Sequence, residues 1–150
     1  MKHTLAVVCC ALATLAVAES PTHTMVSPDQ LKWNDVPSLP PGAKLAVIEG
    51  PLNEPSPFVF RLKLPANYRI PAHWHPAIEH VTVISGTFYM GMGDALDASQ
   101  AMALPAGGAA IMQPKTNHYA MTRDEVIVQV HGVGPWGITY VNSADDPRKK

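Results

Sequence analysis

Apolar and polar residues alternate along several short stretches of the chain, and prolines and glycines separate these stretches. In residues 58–64 the cations Arg61 and Lys63 share one face, and the opposite face is apolar, with Phe58, Phe60, Leu62 and Leu64. Alternation with a period of two is typical of a half-buried β-strand. The same kind of pattern predicts further strands at residues 81–90, 109–113, 118–122, 125–131 and 137–141.

Proline excludes long helices from the first half of the chain. It recurs between Pro37 and Pro71, so only short strands and rigid turns are expected there. Ser27, Pro28 and Gln30 predict one short helical turn, and residues 94–104 predict another inside a long loop. Within residues 81–90, Gly86 follows Ser85 and predicts a tight hairpin. Many short strands separated by turns indicate an all-β antiparallel sandwich or barrel.

The N-terminus has the pattern of a secretory signal peptide. Lys2 precedes an apolar stretch, residues 4–16, that is shorter than the roughly 20 residues needed to span a bilayer. The small residues Ala16 and Ala18 then form a cleavage site, so we expect residues 1–18 to be removed and the protein to be periplasmic or secreted. Both cysteines, Cys9 and Cys10, would leave with this segment, and no disulfide or thiolate ligand would remain.

Charge and length narrow the class of partner. The formal charge is −1, and loss of Lys2 makes it −2, so we expect neither nucleic acid nor, after signal cleavage, a membrane as a partner. A small-molecule ligand or substrate is the better expectation. The predicted organisation is a signal peptide at 1–18, a proline-rich arm at 19–42, one folded domain at 43–144 and a basic tail at 145–150.

A His-x-His pair followed by an acidic residue is the pattern in this sequence that points to metal binding. His73 and His75 emerge on the same face of an extended chain, and Glu79 keeps the same parity. His118 follows on a later predicted strand. Imidazole and carboxylate ligands suit a divalent transition metal with positions left open for water or substrate. We therefore predict His73, His75, Glu79 and His118 as the ligands of a single metal ion.

Other polar residues are candidates for the surrounding pocket. On the strand at 125–131 the valines take one face, whereas Gln129 and His131 lie on the other, which is either solvent-exposed or turned to a pocket. We interpret Gln129 and His131 as pocket residues, together with Tyr89 and Tyr119. His80 has the opposite parity to Glu79, so a surface or hydrogen-bonded histidine is the better interpretation.

These residues resemble the two motifs of the cupin superfamily. The first motif, Gly-x5-His-x-His-x3–4-Glu-x6-Gly, is matched by His73, His75, Glu79 and Gly86, with Asn67 in place of the leading glycine. The second motif, Gly-x5-Pro-x-Gly-x2-His-x3-Asn, is matched at Gly107 and His118. Its remaining positions carry different residues, namely Gln113, Lys115 and Thr122.

Residues 45–147 also look like a family of small secreted bacterial single-domain cupins. The resemblance implies a jelly-roll β-barrel (a double-stranded β-helix) holding one divalent metal, Fe, Mn or Zn, and often a homodimer. It extends to the zinc-holding cupin domains of anti-sigma factors.

Three hypotheses about function remain. The first is a mononuclear-metal oxidoreductase or dioxygenase-like enzyme acting on a small organic molecule. The second is a non-catalytic module that binds or senses a metal or ligand. The third, a structural protein with a vestigial site, would be expected to have lost ligands, yet all four are present. Fold analogy does not choose between catalysis and binding.

Overall fold

Eleven β-strands form almost all of the regular structure in the computed structural model, which describes residues 23–150. In chain order they are β1 (Asn34–Asp35), β2 (Lys44–Glu49), β3 (Pro57–Leu64), β4 (Arg69–Trp74), β5 (Glu79–Ser85), β6 (Thr87–Met92), β7 (Met102–Pro105), β8 (Ala109–Met112), β9 (His118–Thr122), β10 (Val126–Val133) and β11 (Thr139–Tyr140). Short 3₁₀ helices lie at Pro28–Gln30, Ser143–Asp145 and Pro147–Lys149. The predicted all-β class and the helical turn after Ser27 are confirmed.

The strands form two antiparallel sheets. One sheet has six strands in the order β1-β2-β3-β10-β5-β8, and the other has five in the order β11-β4-β9-β6-β7. Their facing sides enclose the core, in which Phe58, Phe60 and Leu64 of β3 are at most 1% exposed. The alternation in residues 58–64 is therefore realised as predicted, because its apolar face packs between the sheets.

Gly86 is a corner between the sheets, and the predicted hairpin there is wrong. β5 pairs with β8 and β10, whereas β6 pairs with β7 and β9. Gly86 has φ 76°, and a Cβ at this position would lie 2.5 Å from the carbonyl oxygen of Glu125. Glycine is needed because the chain turns there in a left-handed conformation against another backbone segment.

The loop before β7 is less helical than expected. Residues 94–104 contain a turn closed by the amide of Gln100 and the carbonyl oxygen of Asp97, 3.2 Å apart, and then strand β7 begins at Met102. Strand pairing between Met90 and Met102 takes the place of a helical turn at the end of this segment.

Strand β4 contains a register shift that decides which side chains point inward. Ile70 pairs with Ala120, and His73 pairs with His118. Between these two pairs the chain advances three residues along β4 but only two along β9. The extra residue is a β-bulge, and it changes the face to which the following side chains point. Ile70 and His73 consequently both face the space between the sheets although their positions differ in parity.

The predicted signal peptide, with Cys9 and Cys10, lies outside the described residues. Within residues 23–150, no helix is both long enough and apolar enough to cross a bilayer. Some of the proline-rich arm packs against the barrel: β1 pairs with β2, and Leu39 is buried in the core.

Candidate metal centre

Four side chains meet where β4, β5 and β9 approach one another. His73 lies near the end of β4 and His75 just after it, while Glu79 and His118 are the first residues of β5 and β9. All four are buried, with exposures between 2% and 6%. The structure thus brings together the whole predicted ligand set.

The three imidazoles contact one another closely. One nitrogen of each ring lies within 4.8 Å of one nitrogen of the other two. The ring centroids of His73 and His118 are 4.3 Å apart, and those of His73 and His75 are 4.9 Å apart. Glu79 completes the cluster, with Oε1 at 3.6 Å from Nε2 of His75 and Oε2 at 3.3 Å from Nε2 of His118.

Backbone carbonyls fix the orientation of each imidazole. Nδ1 of His73 donates to the carbonyl of Pro71 at 2.7 Å, Nδ1 of His75 to Gly137 at 2.6 Å, and Nδ1 of His118 to Thr116 at 2.9 Å. A carbonyl oxygen only accepts hydrogen bonds, so the proton of each neutral ring is on Nδ1. Nε2 is then left as a lone-pair donor, which is the usual arrangement of metal-binding histidines.

Burial and neighbouring charges shift the pKa values of the three imidazoles in different directions. Burial, followed by the neighbouring His118 and His75, lowers the pKa of His73 well below its ordinary value. Burial also lowers the pKa of His75, against the opposing effect of Glu79. For His118 burial alone would lower the pKa, but the neighbouring carboxylate of Glu79, with the carbonyl of Thr116, raises the pKa above its ordinary value.

The donor set fits a divalent metal ion. Nε2 of His75 and Oε2 of Glu79 are buried and have no hydrogen-bond partner. Leaving a buried carboxylate oxygen without a partner is costly, and a cation between the four side chains would remove that cost. His73, His75, His118 and Glu79 supply nitrogen and oxygen donors of the kind that Fe, Mn and Zn accept.

A cavity of about 310 Å³ extends from these four residues between the two sheets. Most of its wall is apolar and comes from the inward side chains of the strands. Examples are Ile70, Phe88, Met90, Val128 and Val130. The alternation of each strand places these residues inward, while its polar residues face outward.

Gln129 and His131 do not line this cavity, which corrects the interpretation of that strand. Val128 and Val130 occupy the inward face of β10, so Gln129 and His131 point to the outer face of the six-stranded sheet. Oε1 of Gln129 accepts a hydrogen bond from Nε of Arg61 at 3.2 Å, and the ring of His131 stacks on His80 with centroids 4.8 Å apart. In this barrel the apolar face of β10, not the polar one, encloses the interior.

Tyr89 and Tyr119 also lie outside the cavity, because their neighbours on the strands take the inward positions. The Tyr89 ring is covered by the guanidinium of Arg123, 4.8 Å from the ring centroid. Tyr119 is buried between His118 and Ala120 on β9, and its hydroxyl donates to the carbonyl of Asp97 at 2.9 Å. It anchors the loop before β7.

Several wall residues were not anticipated as part of the site. Trp136 stacks on His75, with ring centroids 4.1 Å apart and planes at 17°, and so forms one wall beside the cluster. Ser38 and Leu39 of the arm and Arg148 of the tail also line the cavity. Chain segments far apart in sequence converge there, and no local sequence pattern signals this convergence.

Two residues that stand at glycine positions of the motifs described above keep the backbone conformation that glycine would adopt. Asn67 replaces the leading glycine of the first motif and has φ 57°, and Lys115 replaces the glycine of the second motif and has φ 60°. Both are in the left-handed region, which non-glycine residues adopt at some cost. The turn geometry is thus retained although the residue type is not.

Solved structures with the same architecture identify the fold. An RmlC-like cupin from Shewanella frigidimarina matches with a TM-score of 0.59 at 15% identity, over 75% of this chain and 91% of its own. The chain has the cupin fold.

Solved structures with different described activities share this likeness. The polyketide cyclase RemF from Streptomyces resistomycificus matches with a TM-score of 0.69 at 15% identity, over 85% of this chain and 92% of its own. A proposed acetylacetone dioxygenase from Methylibium petroleiphilum matches with a TM-score of 0.63 at 16% identity, over 87% and 89%. No protein-family model and no curated protein matches the sequence.

Proposed function

We propose that this cupin binds one divalent metal ion through His73, His75, Glu79 and His118 and acts as a mononuclear-metal oxidoreductase, of dioxygenase type, on a small organic molecule. The observation that carries the proposal is the set of three imidazoles whose Nδ1 atoms are held by carbonyls, beside a buried carboxylate oxygen without a partner. When bound, a metal of this kind would polarise an oxygen-bearing substrate and support redox chemistry.

The protein's own residues would position the reactants. The apolar cavity wall would exclude bulk water, and Trp136 would restrict the substrate to the space beside His75. The carbonyls of Pro71, Gly137 and Thr116 would hold the imidazoles so that they need not reorganise when substrate enters. Several solved structures with this fold carry dioxygenase or cyclase descriptions, which supports an enzymatic role without assigning a reaction.

The second candidate is a non-catalytic module that binds a metal or ligand. It is favoured by the shortage of proton-transfer groups in the cavity. Among the described lining residues, Arg148 is the only ionisable side chain outside the four predicted ligands, and a guanidinium does not exchange protons at neutral pH. The resemblance to the zinc-holding domains of anti-sigma factors points in the same direction.

Metal analysis and oxygen uptake distinguish these candidates. Protein purified anaerobically, without an affinity tag, is analysed for bound metal and then screened for oxygen consumption with small organic molecules. Iron or manganese at one ion per chain, with uptake that is lost in His73→Ala, supports the enzyme. Zinc with no turnover supports the binding module. No bound metal in protein with a native circular dichroism spectrum contradicts both the enzyme and a metal-binding module.

Export and assembly are further parts of the proposal. The charged start, apolar stretch and small residues at 16–18 support cleavage after Ala18 and a periplasmic or secreted protein. Intact mass of the exported protein tests the cleavage site. The cupin resemblance supports a homodimer, which sedimentation of the mature protein tests.

A further inference from the structure

We propose that the cavity selects a small molecule with an apolar body and oxygen atoms at one end, carrying at most one negative charge, and that it disfavours polyanions. This inference rests on the proposed metal site and adds the class of molecule that the site receives. It follows from the distribution of polar groups along the cavity wall, the charge balance around Arg148 and the size of the enclosed space.

The four predicted ligands form the most polar part of the wall, and the described wall has few other hydrogen-bonding side chains, namely Ser38, Asn53, Trp136 and Arg148. Strands β5, β6 and β10 contribute hydrocarbon side chains to the rest of the wall. Phe88, Val128 and Val130 are each no more than 4% exposed and offer no hydrogen bond. A charged group placed against them would lose its hydration without compensation, which is costly.

Arg148 is the one cation outside the cluster that lines the described cavity, and its charge is already compensated. Its Nε lies 2.7 Å from Oδ1 of Asp146, and Nη2 lies 2.8 Å from Oδ2 of the same carboxylate. Nη2 also donates to the carbonyl of Ile138 at 3.1 Å. A bidentate ion pair of this type largely neutralises the guanidinium, so Arg148 would attract the carboxylate of a bound molecule only weakly. Arg148 is therefore a structural clamp between the tail and the cavity wall, not an anion receptor.

The volume limits the molecule to about one ring. A cavity of about 310 Å³ is at the lower end of the range for small-molecule sites. The aromatic plane of Trp136 beside His75 provides a flat surface next to the oxygen-binding end. A compact, planar, apolar molecule with adjacent oxygens fits these requirements.

The test compares two probes that present the same pair of oxygens on adjacent carbons. Tropolone carries them on an apolar seven-membered ring and chelates a metal as a monoanion, whereas oxalate is a small dianion without an apolar body. Each is titrated into Co(II)-loaded protein and followed by the visible absorption of Co(II), with Co(II)-nitrilotriacetate as the reference without a cavity. We expect the ratio of tropolone to oxalate affinity to be at least ~10-fold higher in the protein than in the reference.

A matched pair of variants locates the effect in the cavity. Met90 lines the wall, whereas Met102, its strand partner on β7, is 69% exposed. Met90→Gln should lower tropolone affinity about 3- to 10-fold and leave oxalate unchanged, because it adds a polar amide to the wall. Met102→Gln should change neither. If Met90→Gln fails to fold, Val130→Thr makes the same comparison with a smaller change of shape.

Three outcomes would overturn the inference. They are an affinity ratio equal to that of the reference, tighter binding of oxalate that is lost in Arg148→Gln, and removal of Co(II) by tropolone without a ternary complex. Failure of the proposed metal site is separate from these, because the unliganded protein would then not bind Co(II) at all, and failure of the oxidoreductase activity is separate because it appears only in the oxygen-uptake screen.

Discussion

The backbone amide of Lys115 donates a hydrogen bond to the carbonyl oxygen of His75, at 2.9 Å. Lys115 belongs to the turn that leads into His118, so this bond joins the two halves of the predicted ligand set in addition to the pairing of His73 with His118. The left-handed conformation of Lys115 directs its amide towards the end of β4. Metal affinity should therefore depend on the backbone of this turn as well as on the ligand side chains.

Substitutions at Lys115 test this dependence. Lys115→Pro removes the amide and is incompatible with a positive φ, so it should lower metal affinity ~10-fold or more. Lys115→Gly keeps the amide and should keep the affinity. Its free energy of unfolding should change by less than about 1 kcal/mol, because relief of left-handed strain offsets the extra entropy of glycine in the unfolded chain. Calorimetric metal titration measures the affinity, and equal affinities for both variants would rule out this coupling.

Removing a predicted ligand should lower metal affinity, whereas removing a histidine on the outer face of the sheet should not. His118→Ala should lower metal affinity by ~100-fold or more, because it removes a buried donor and leaves Glu79 without one of its neighbours. His131→Ala is the matched control, since its ring lies on the outer face of the sheet against His80. Its affinity should equal that of the parent protein. Full metal stoichiometry and affinity in His118→Ala would contradict the predicted site.

Metal affinity should decrease on acidification. The metal requires neutral Nε2 atoms, and His118 is the ring whose pKa is raised above the ordinary value of 6.5. Affinity should be constant above the pKa of His118 and should fall as pH drops through it, so the decline begins above pH 6.5. Glu79→Gln should weaken metal binding overall. It should also move the midpoint of the pH-dependent loss of affinity to lower pH, because the negative charge that stabilises protonated His118 is gone. A midpoint unchanged in this variant would argue against His118 as the controlling group.

Substitution of Gly91 tests how tightly the ring of Tyr119 packs next to the predicted metal centre. A Cβ at Gly91 would lie far inside van der Waals contact with the buried ring of Tyr119. Gly91→Ala should therefore lower the free energy of unfolding by about 1–3 kcal/mol. Gly137→Ala, whose Cβ would meet nothing within 4 Å, is the control and should be much less harmful. Urea unfolding of the metal-free proteins measures both, and equal losses in the two variants would contradict a specific clash between position 91 and Tyr119.

The sequence alone was sufficient for the strand class and for the residues that form the cluster. Alternation in residues 58–64 gave the inward face of β3, and His73, His75, Glu79 and His118 were each recognisable as potential ligands. These features are local, or depend only on residue type and parity. The helical turn expected in residues 94–104 is present only as the turn between Asp97 and Gln100, because pairing of Met102 with Met90, a tertiary interaction, took precedence over a weak helical signal after it.

The pocket was less predictable than the ligands. Parity correctly separated Gln129 and His131 from the valines of β10, but it did not say which face of the strand is the interior. Gly86 was recognised as a turn, but whether a turn joins neighbours in one sheet or crosses between two depends on long-range pairing. Arg148 reaches the cavity only because the tail folds back, and a basic terminus carries no signal of that.

The bulge between Ile70 and His73 divides β4 into two segments with different tasks. Before it, Ile70 contributes to the apolar core, and after it, His73 and His75 supply nitrogen donors to the same interior. The arrangement depends on the number of residues between the two pairing points and not on their identity. Deleting Ala72 would leave two steps on each strand between the pairing points, so plain alternation would keep Ile70 and both histidines on the inner face without a bulge. Regular pairing from Ile70 at the present chain length would instead turn both histidines towards the outside, so a homologue can retain the full His-x-His motif and still lose the centre through a change in register.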